Sequence, residues 1–223
     1  KTKNLSYYRL LHVGGTKKIL HAAAEEPSCI KFVHCSTTGV LGPVNGLADE
    51  TWPYRPSNLY EATKAEAEKM VIDYSRKRGT VTTVLRPGMT YGPGDMHHLG
   101  LFKAINNGYF FLIGSGETCL DPVYVEDVAR AFRRALEVDL PPGEIFMISG
   151  PKPVTVRHLA STIASAMNKN PSFYRLPKSM CMAGATMLSF VSALTSADLP
   201  LTPGRVRFMT EHRRTSIAKA QER

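Results

Sequence analysis

Between residues 29 and 85 the sequence alternates between strand and helix patterns, and this alternation restricts the fold more than any other feature. The apolar runs Cys29–Cys35 and Val81–Leu85 predict buried strands, and an uninterrupted helical pattern runs between them from Tyr60 to about Arg78. A strand, a helix and a second strand in this order are typical of a parallel βαβ unit. We therefore predict a doubly wound α/β fold in which both strands end at the same edge of one sheet.

Polar and glycine-containing runs follow both predicted strands. Ser36-Thr37-Thr38-Gly39 comes after the first strand and Arg86-Pro87-Gly88 after the second. Open α/β sheets bind their ligands at the carboxyl ends of the strands. Tyr60 and Lys64 stand four residues apart at the start of the intervening helix, so both side chains lie on one face and can reach one ligand.

A phenol beside an ammonium is suited to proton transfer. The ordinary pKa of a tyrosine is about 10, and a neighbouring cation lowers that pKa because it favours the phenolate. The spacing of Tyr60 and Lys64 alone, however, favours a half-buried tyrosine beside a solvated lysine. A catalytic interpretation needs further motifs.

The composition indicates a globular protein without structural disulfides or a metal site. The chain has 223 residues, 43% of them hydrophobic, which suffices for the core of one or two modest domains. Its four cysteines show no CxxC or His-paired spacing, so we predict no metal site and a reducing, cytoplasmic location. The formal charge of +9 comes from short basic runs without interleaved aromatic residues, and we predict no nucleic-acid partner.

The sequence predicts no signal peptide and no stable membrane span. The polar start Lys1–Leu5 is not followed by an apolar core and a cleavage site. The apolar stretch Met180–Leu194 is short and contains Ser, Thr and Gly, which favours a buried or lid helix.

The first predicted helix, Leu5–Glu26, contains Gly14 and Gly15. Mid-helix glycines are costly, so we expect the backbone to approach another element closely at this point. The residues available for the inner face of this helix are Leu10, Leu11, Ile19 and Leu20.

We place a domain boundary near Pro93, because the elements beyond Gly94 are shorter and less regular. Residues 1–93, with parts of 120–150, are predicted to form a cofactor-binding domain. Residues 94–223 are predicted to form mainly a smaller, C-terminal substrate-binding lobe.

Five motifs carry a family resemblance: Val13-Gly14-Gly15-Thr16, Phe32 to Gly42, Tyr60 to Lys64, Leu85 to Gly88 with Tyr91-Gly92-Pro93, and Val123 to Ala129. By these motifs, in this order, the chain resembles the extended short-chain dehydrogenase/reductase family. That family includes NAD-dependent sugar epimerases and dehydratases and hydroxysteroid dehydrogenases. The resemblance implies a Rossmann-type sheet, NAD or NADP as cofactor, a small-molecule substrate and a homodimer formed through the two long helices.

The resemblance also implies a role for each matched residue. Tyr60 is the general acid/base, and Lys64 holds the nicotinamide ribose and lowers the pKa of the tyrosine. Thr37, with Ser36 as the second candidate, orients the reacting hydroxyl. The residues implied in cofactor binding are Tyr60, Lys64, Ser36, Pro87, Gly88 and Met89, and those implied in substrate binding are Thr38 and Thr90.

The glycine-rich loop that ends the first strand in this family is absent from the sequence, as is the residue that selects NAD or NADP. Gly14 and Gly15 do not replace the loop, because they lie inside a helix and not between a strand and a helix. A parallel sheet without its first strands would expose a long apolar edge. We therefore expect the intact protein to include residues that precede Lys1.

Three departures from the family pattern narrow the substrate class. Nucleotide-sugar dehydratases carry an Asp-Glu pair where this chain has Thr38-Gly39, which disfavours dehydration. Nucleotide-sugar enzymes also carry an Asn and an Arg where this chain has Met89 and Leu120. A diphosphate without a fixed cation loses about 1.5 to 3 kcal/mol per charge-assisted hydrogen bond. The motifs are closest to those of 3β-hydroxysteroid dehydrogenases and dihydroflavonol reductases.

We therefore predict an NAD(P)-dependent oxidoreductase that transfers hydride to or from a secondary alcohol or ketone. Two alternatives stay open. A nucleotide-sugar epimerase would use Tyr60 and return the hydride to the other face of the sugar. A non-catalytic, cofactor-sensing module would keep the fold without turnover, although the presence of Tyr60, Lys64 and Thr37 argues against it.

Overall fold

The structure is a computed structural model and describes residues 4–78, 81–195 and 201–223. Its α-helices are α1 Leu5–Tyr8, α2 Gly15–Glu25, α3 Leu59–Arg78, α4 Leu99–Asn106, α5 Val125–Glu137, α6 Val156–Ala166, α7 Lys178–Thr195, α8 Pro203–Thr210 and α9 Ala218–Gln221. A π-helix, Arg9–Gly14, joins α1 to α2, and Thr38–Leu41 forms a 3₁₀-helix. The strands are β1 Lys31–Cys35, β2 Val81–Pro87, β3 Met89–Tyr91, β4 Phe111–Ile113, β5 Cys119–Leu120, β6 Pro122–Tyr124, β7 Glu144–Ile148, β8 Val154–Thr155 and β9 Tyr174–Leu176.

The main sheet has the strand order β1-β2-β7, and both strand pairs are parallel. Cys35 lies opposite Leu85, which in turn lies opposite Phe146, so the carboxyl ends of the three strands meet at one edge. The predicted βαβ unit, with α3 as its crossover helix, is confirmed.

Helices cover both faces of this sheet. Val84 packs with Leu20 of α2 and Val71 of α3, whereas the next residue, Leu85, packs with Ala135 of α5. Successive residues of a strand point to opposite faces, and a parallel sheet is stable only when both faces are buried. The predicted doubly wound α/β arrangement is therefore confirmed.

The chain forms two compact units. The first contains the described residues up to Gly92, together with Asp121–Pro151 and Arg213–Arg223. The second contains Pro93–Leu120 and Lys152–His212. The assignment of one part of the chain to the cofactor and another to the substrate stays a prediction.

The second unit has two small cores. Ile105 of α4 packs against Ala160 and Ile163 of α6. Ile113 of β4 packs with residues of α7 and α8, among them Cys181. The apolar stretch Met180–Leu194 thus belongs to a helix that buries part of its surface. In the described part of the chain, no helix is long and apolar enough to cross a membrane.

The first helical segment departs from its prediction in two ways. Only Leu20 is buried, whereas Leu10, Leu11 and Ile19 are 73%, 55% and 62% exposed. The expected close approach of another element at the glycines is also wrong. A Cβ at Gly15 would have nothing within 4 Å, and one at Gly14 would meet only Arg9 and Leu10 of the same segment. The helix instead widens into the π-helix Arg9–Gly14 immediately before Gly15.

A buried ion pair joins α3 to β2. Arg86 and Glu68 are 1% and 0% exposed, and Arg86 Nη2 donates to Glu68 Oε1 at 2.6 Å. Glu68 also accepts from the Tyr54 hydroxyl at 2.7 Å and from the Ser36 hydroxyl. Three parts of the first unit therefore converge on one carboxylate of α3.

Substitution Glu68→Gln should destabilise the protein strongly. The amide has the size of the carboxylate but leaves the Arg86 guanidinium buried without a counter-charge, and breaking a buried pair costs about 3 to 5 kcal/mol. The free energy of unfolding in denaturant measures this loss. Glu66→Gln on the same helix is the control, because the Arg9–Glu66 pair is solvent-exposed and contributes little to stability. Equal effects of the two substitutions would contradict the prediction.

His34 of β1 is buried next to this network. Its Nε2 has no hydrogen-bond partner within the described ranges. Burial, together with the nearby Lys64 ammonium, lowers the pKa of His34 from 6.5 to about 4. The ring is therefore neutral in the folded protein at pH 7.

The stability of the protein should fall as the pH drops from about 7.5 to about 5. The pKa of His34 is lower in the folded than in the unfolded protein, so only the unfolded chain takes up this proton, and about 2 kcal/mol is lost. Denaturant unfolding at the two pH values measures the loss. The His34→Gln variant has no group at position 34 that titrates in this pH range. Its loss in free energy of unfolding should therefore be smaller by about 2 kcal/mol. The same pH dependence in both proteins would argue against a buried neutral His34.

Candidate active site

The carboxyl ends of β1 and β2 hold the predicted hydroxyl residues. The Ser36 amide donates to the Leu85 carbonyl at 2.8 Å, which extends the pairing of the two strands by one residue. Thr37 caps the 3₁₀-helix, and its Oγ1 accepts from the Gly39 amide at 3.1 Å. Ser36 is buried, whereas Thr37 and Thr38 are partly exposed.

Helix α3 brings Lys64 to the same place. Asn58 caps the start of the helix, because its Oδ1 accepts from the Glu61 amide at 2.9 Å. The Lys64 ammonium donates to the carbonyl of Cys35, the last residue of β1. Lys64 therefore lies at the end of β1, beside Ser36 and Thr37.

Tyr60 lies one turn before Lys64 on α3 and is 42% exposed. Its hydroxyl forms no hydrogen bond with the part of the chain that the structure describes. The ring has aromatic neighbours on the first helical segment, His12 at 5.2 Å and Tyr8 at 6.3 Å between centroids. The phenol is thus held by ring contacts, and its oxygen is left for another partner.

The electrostatics of Tyr60 differ from the expectation. We expected Lys64 to lower the pKa of Tyr60, but that pKa is raised, first by burial and then by the charges of Cys35 and Glu61. Burial also lowers the pKa of Lys64. The physical reason is that partial burial disfavours both charged forms, and the Lys64 ammonium is turned toward the Cys35 carbonyl.

The predicted cofactor residues Pro87, Gly88 and Met89 leave the sheet at the end of β2. The Gly88 amide donates to the Ile148 carbonyl at 2.9 Å. A Cβ on Gly88 would stand 2.4 Å from the Asp121 carbonyl oxygen, so the packing of the chain itself requires glycine here. The role of these three residues in cofactor binding stays a prediction.

The predicted substrate residues lie apart from each other along the chain. Thr38 begins the 3₁₀-helix, and Thr90 lies on β3, where its hydroxyl donates to the Gly88 carbonyl at 3.3 Å. Their contact with a substrate stays a prediction. Leu120 is 3% exposed, so core packing accounts for its apolar character and weakens the argument that we drew from it about substrate class.

Sequence reasoning missed Glu68 and His12. Glu68 lies four residues after Lys64, on the same helix face, and this spacing could have identified it. His12 Nδ1 lies 2.9 Å from Thr63 Oγ1, and its ring stands almost perpendicular to that of Tyr60. No periodicity in the sequence predicts this contact, because the π-helix determines which residues of the first segment face α3.

The described ranges contain no group of three or more His, Cys, Asp or Glu residues that could hold a metal ion. The candidate site brings a phenol, an ammonium and a hydroxyl to the end of a parallel sheet. This set can move a proton to or from an oxygen atom and can donate hydrogen bonds to neutral oxygens.

Two curated relatives and one solved structure illustrate what the chain is similar to. It is 31% identical to the decarboxylating sterol-4-alpha-carboxylate 3-dehydrogenase of Saccharomyces cerevisiae, over 99% of this chain and 67% of that enzyme. It is 28% identical to 3beta-hydroxysteroid-dehydrogenase/decarboxylase isoform 1 of Arabidopsis thaliana, over 96% and 53%. A UDP-glucose 4-epimerase of Thermus thermophilus in complex with NAD superimposes with a TM-score of 0.62 and 30% identity, over 73% of this chain and 56% of that one.

The chain thus spans about half to two thirds of the length of these relatives. The sequence profile of the NAD dependent epimerase/dehydratase family matches residues 2–149, a range that includes Ser36, Thr37, Tyr60 and Lys64. This match and the parallel sheet confirm the resemblance and the Rossmann-type fold. The chain therefore belongs to the NAD dependent epimerase/dehydratase family, within the extended short-chain dehydrogenases/reductases.

Proposed function

We propose that the protein containing this chain is an NAD(P)-dependent oxidoreductase that interconverts a secondary alcohol and a ketone. One observation carries the proposal: α3 presents Tyr60 and Lys64 together, and Lys64 reaches the end of β1 beside Thr37. The names of the yeast and plant relatives, both dehydrogenases of a sterol or steroid, support this reaction class.

The residues at the sheet edge fit the nicotinamide-ribose end of the cofactor. The Lys64 ammonium already donates to a neutral carbonyl oxygen, and a ribose hydroxyl is an acceptor of the same kind. We assign further cofactor contacts to Ser36 and to the turn Pro87-Gly88-Met89 at the end of β2. When bound, the nicotinamide supplies or accepts the hydride.

The orienting hydroxyl belongs to Thr37 in this proposal. Ser36 donates its hydroxyl hydrogen to Glu68, so it has no hydrogen left for a substrate. Thr37 Oγ1 accepts from the Gly39 amide, and its own hydrogen stays available for the reacting oxygen. Thr38 and Thr90 would contact more distant parts of the substrate.

Tyr60 moves the proton. In ketone reduction, a hydride adds to the carbonyl carbon while the Tyr60 hydroxyl gives its proton to the carbonyl oxygen, which yields the alcohol. Oxidation reverses both transfers. Because burial raises the pKa of Tyr60, the side chain is protonated at neutral pH and is prepared to act as the acid.

For the substrate we propose an apolar molecule with a secondary hydroxyl or ketone, such as the sterols or steroids named for the relatives. The Thr38-Gly39 pair, in place of two acidic residues, supports this class over dehydration. Met89 beside the end of β2 is also apolar.

The second candidate function is nucleotide-sugar epimerisation, which the 30% identity to the Thermus thermophilus epimerase favours. The two functions differ in what happens to the cofactor. A dehydrogenase converts added cofactor and changes the absorbance of the nicotinamide band, whereas an epimerase keeps its cofactor and gives no net change. A protein that binds the cofactor and turns over neither substrate class would be the non-catalytic, sensing module.

Tyr60→Phe should lower kcat by about 100-fold or more, because the substitution removes the acid and leaves the ring in place. Cofactor affinity should change little, since the Lys64 ammonium is retained. Steady-state kinetics and cofactor titration measure the two effects. Tyr74→Phe, at the far end of the same helix, is the matched control and should retain activity. Unchanged kcat in Tyr60→Phe would refute the proposed mechanism.

We also propose that the protein is a cytoplasmic homodimer. Leu10, Leu11 and Ile19 are exposed apolar residues of the first helical segment, and a second copy could cover them. Leu10→Asp should therefore shift the protein from dimer to monomer in analytical ultracentrifugation. Leu136→Asp, at an exposed leucine of α5, should leave the dimer intact. A monomeric wild-type protein would contradict the proposal.

A further inference from the structure

We infer that His12 is a positioning residue that fixes the orientation of the Tyr60 phenol. The inference rests on the proposed function, because it gives a role to a neighbour of the proposed acid/base. It goes beyond that function in assigning part of the site to the π-helix Arg9–Gly14, which precedes every element of the main sheet.

The hydrogen bond between His12 and Thr63 defines the state of the imidazole. Thr63 Oγ1 lies 2.9 Å from the Leu59 carbonyl and 3.0 Å from the Tyr60 carbonyl, so the single hydroxyl hydrogen is donated to these oxygens. The contact at 2.9 Å between Thr63 Oγ1 and His12 Nδ1 then has the imidazole as its donor. Nδ1 carries the hydrogen and Nε2 carries the lone pair.

The surroundings also keep this ring neutral. Burial and, after it, the Lys64 ammonium both lower the pKa of His12. A neutral imidazole with a fixed tautomer keeps one orientation, because its only donor is directed at Thr63. The ring is therefore a fixed surface beside α3.

Tyr60 packs on this surface. Its ring and the His12 ring meet at 84° with centroids 5.2 Å apart, an edge-to-face contact. Tyr8 completes the cluster at 5.5 Å from His12 and 6.3 Å from Tyr60. Thr63 follows Tyr60 on the same helix, so the hydrogen bond anchors His12 to the element that it orients.

Proton transfer depends on this orientation, because a general acid acts only within hydrogen-bond reach of its substrate and small displacements reduce the rate. Tyr60 is partly exposed, and the described part of the chain offers no hydrogen bond to its hydroxyl. Ring contacts are thus what restrains its side chain. The π-helix supports the assignment, since such segments occur frequently at functional sites. The Arg9–Glu66 ion pair, at 2.6 Å, ties the same segment to α3.

The test compares three substitutions at this contact. His12→Ala removes both the ring and the donor, His12→Phe keeps a ring without the donor, and Thr63→Val removes the acceptor. His21→Ala, at an exposed histidine of α2, is the control. Two readouts are needed: kcat and KM of the intact protein, and the NMR signal of ring-labelled Tyr60, which is assigned by its loss in Tyr60→Phe.

We expect His12→Ala to lower kcat by about 10- to 100-fold, to leave the KM for the cofactor nearly unchanged and to shift the Tyr60 signal. His12→Phe and Thr63→Val should give smaller changes in the same direction, and His21→Ala none. If His12→Ala fails to fold, as its unfolding curve would show, His12→Phe and Thr63→Val decide. Folded variants with an unchanged Tyr60 signal and unchanged kcat would overturn the inference.

The NMR readout separates this inference from the proposed function. If Tyr60→Phe retains full turnover, the proposed function fails. The NMR signal of Tyr60 alone then decides whether His12 positions its ring. A signal shifted in Thr63→Val, which retains the His12 ring, would still support positioning, and an unshifted one would overturn it.

Discussion

The ion pair between Arg86 and Glu68 is the interaction on which the candidate site depends. Glu68 belongs to α3 and Arg86 to β2, and both are almost completely buried. Because the same carboxylate accepts from Ser36 at the end of β1, it fixes the helix relative to two strands at once. Hydrophobic contacts can tolerate a slide of the helix, but a charged, directional network in low dielectric cannot. The height of Tyr60 and Lys64 above the sheet edge follows from this network.

The network also explains the charges around the site. Lys64 lies one turn before Glu68, so the ammonium is placed near a buried anion that is already neutralised by Arg86. His34 stays neutral because burial and Lys64 both disfavour its protonation. Lys64 therefore provides a positive charge near the end of β1, toward which it is directed. A neutral ribose hydroxyl can accept a hydrogen bond from such an ammonium.

The sequence could predict those features that depend on local patterns. The strand, helix and strand of the βαβ unit have clear apolar patterns, and the ends of parallel strands must coincide. The sequence could not predict features that depend on which helices and strands contact each other in the folded chain. Leu10 and Leu11 belong to a helical pattern, yet the pattern does not tell whether another element covers them, and both are exposed. The contact of His12 with α3 depends on a π-helix, which has no sequence signature of its own. The raised pKa of Tyr60 depends on burial, which is a property of the folded chain.

The motif residues differ in whether packing and hydrogen bonds within the chain already account for them, or whether they keep a hydrogen-bond donor for a ligand. A Cβ on Gly88 would stand 2.4 Å from the Asp121 carbonyl oxygen, so the neighbouring backbone requires glycine at this position. Packing alone therefore explains why Gly88 matches the family motif. Ser36 donates its only hydroxyl hydrogen to Glu68, so its oxygen can serve the site only as an acceptor. Thr37 differs, since it accepts from the Gly39 amide and retains its hydrogen. A hydroxyl whose hydrogen is not used within the fold can bind a substrate without breaking a stabilising hydrogen bond. For this reason we assign the proposed chemistry to Thr37 and Tyr60.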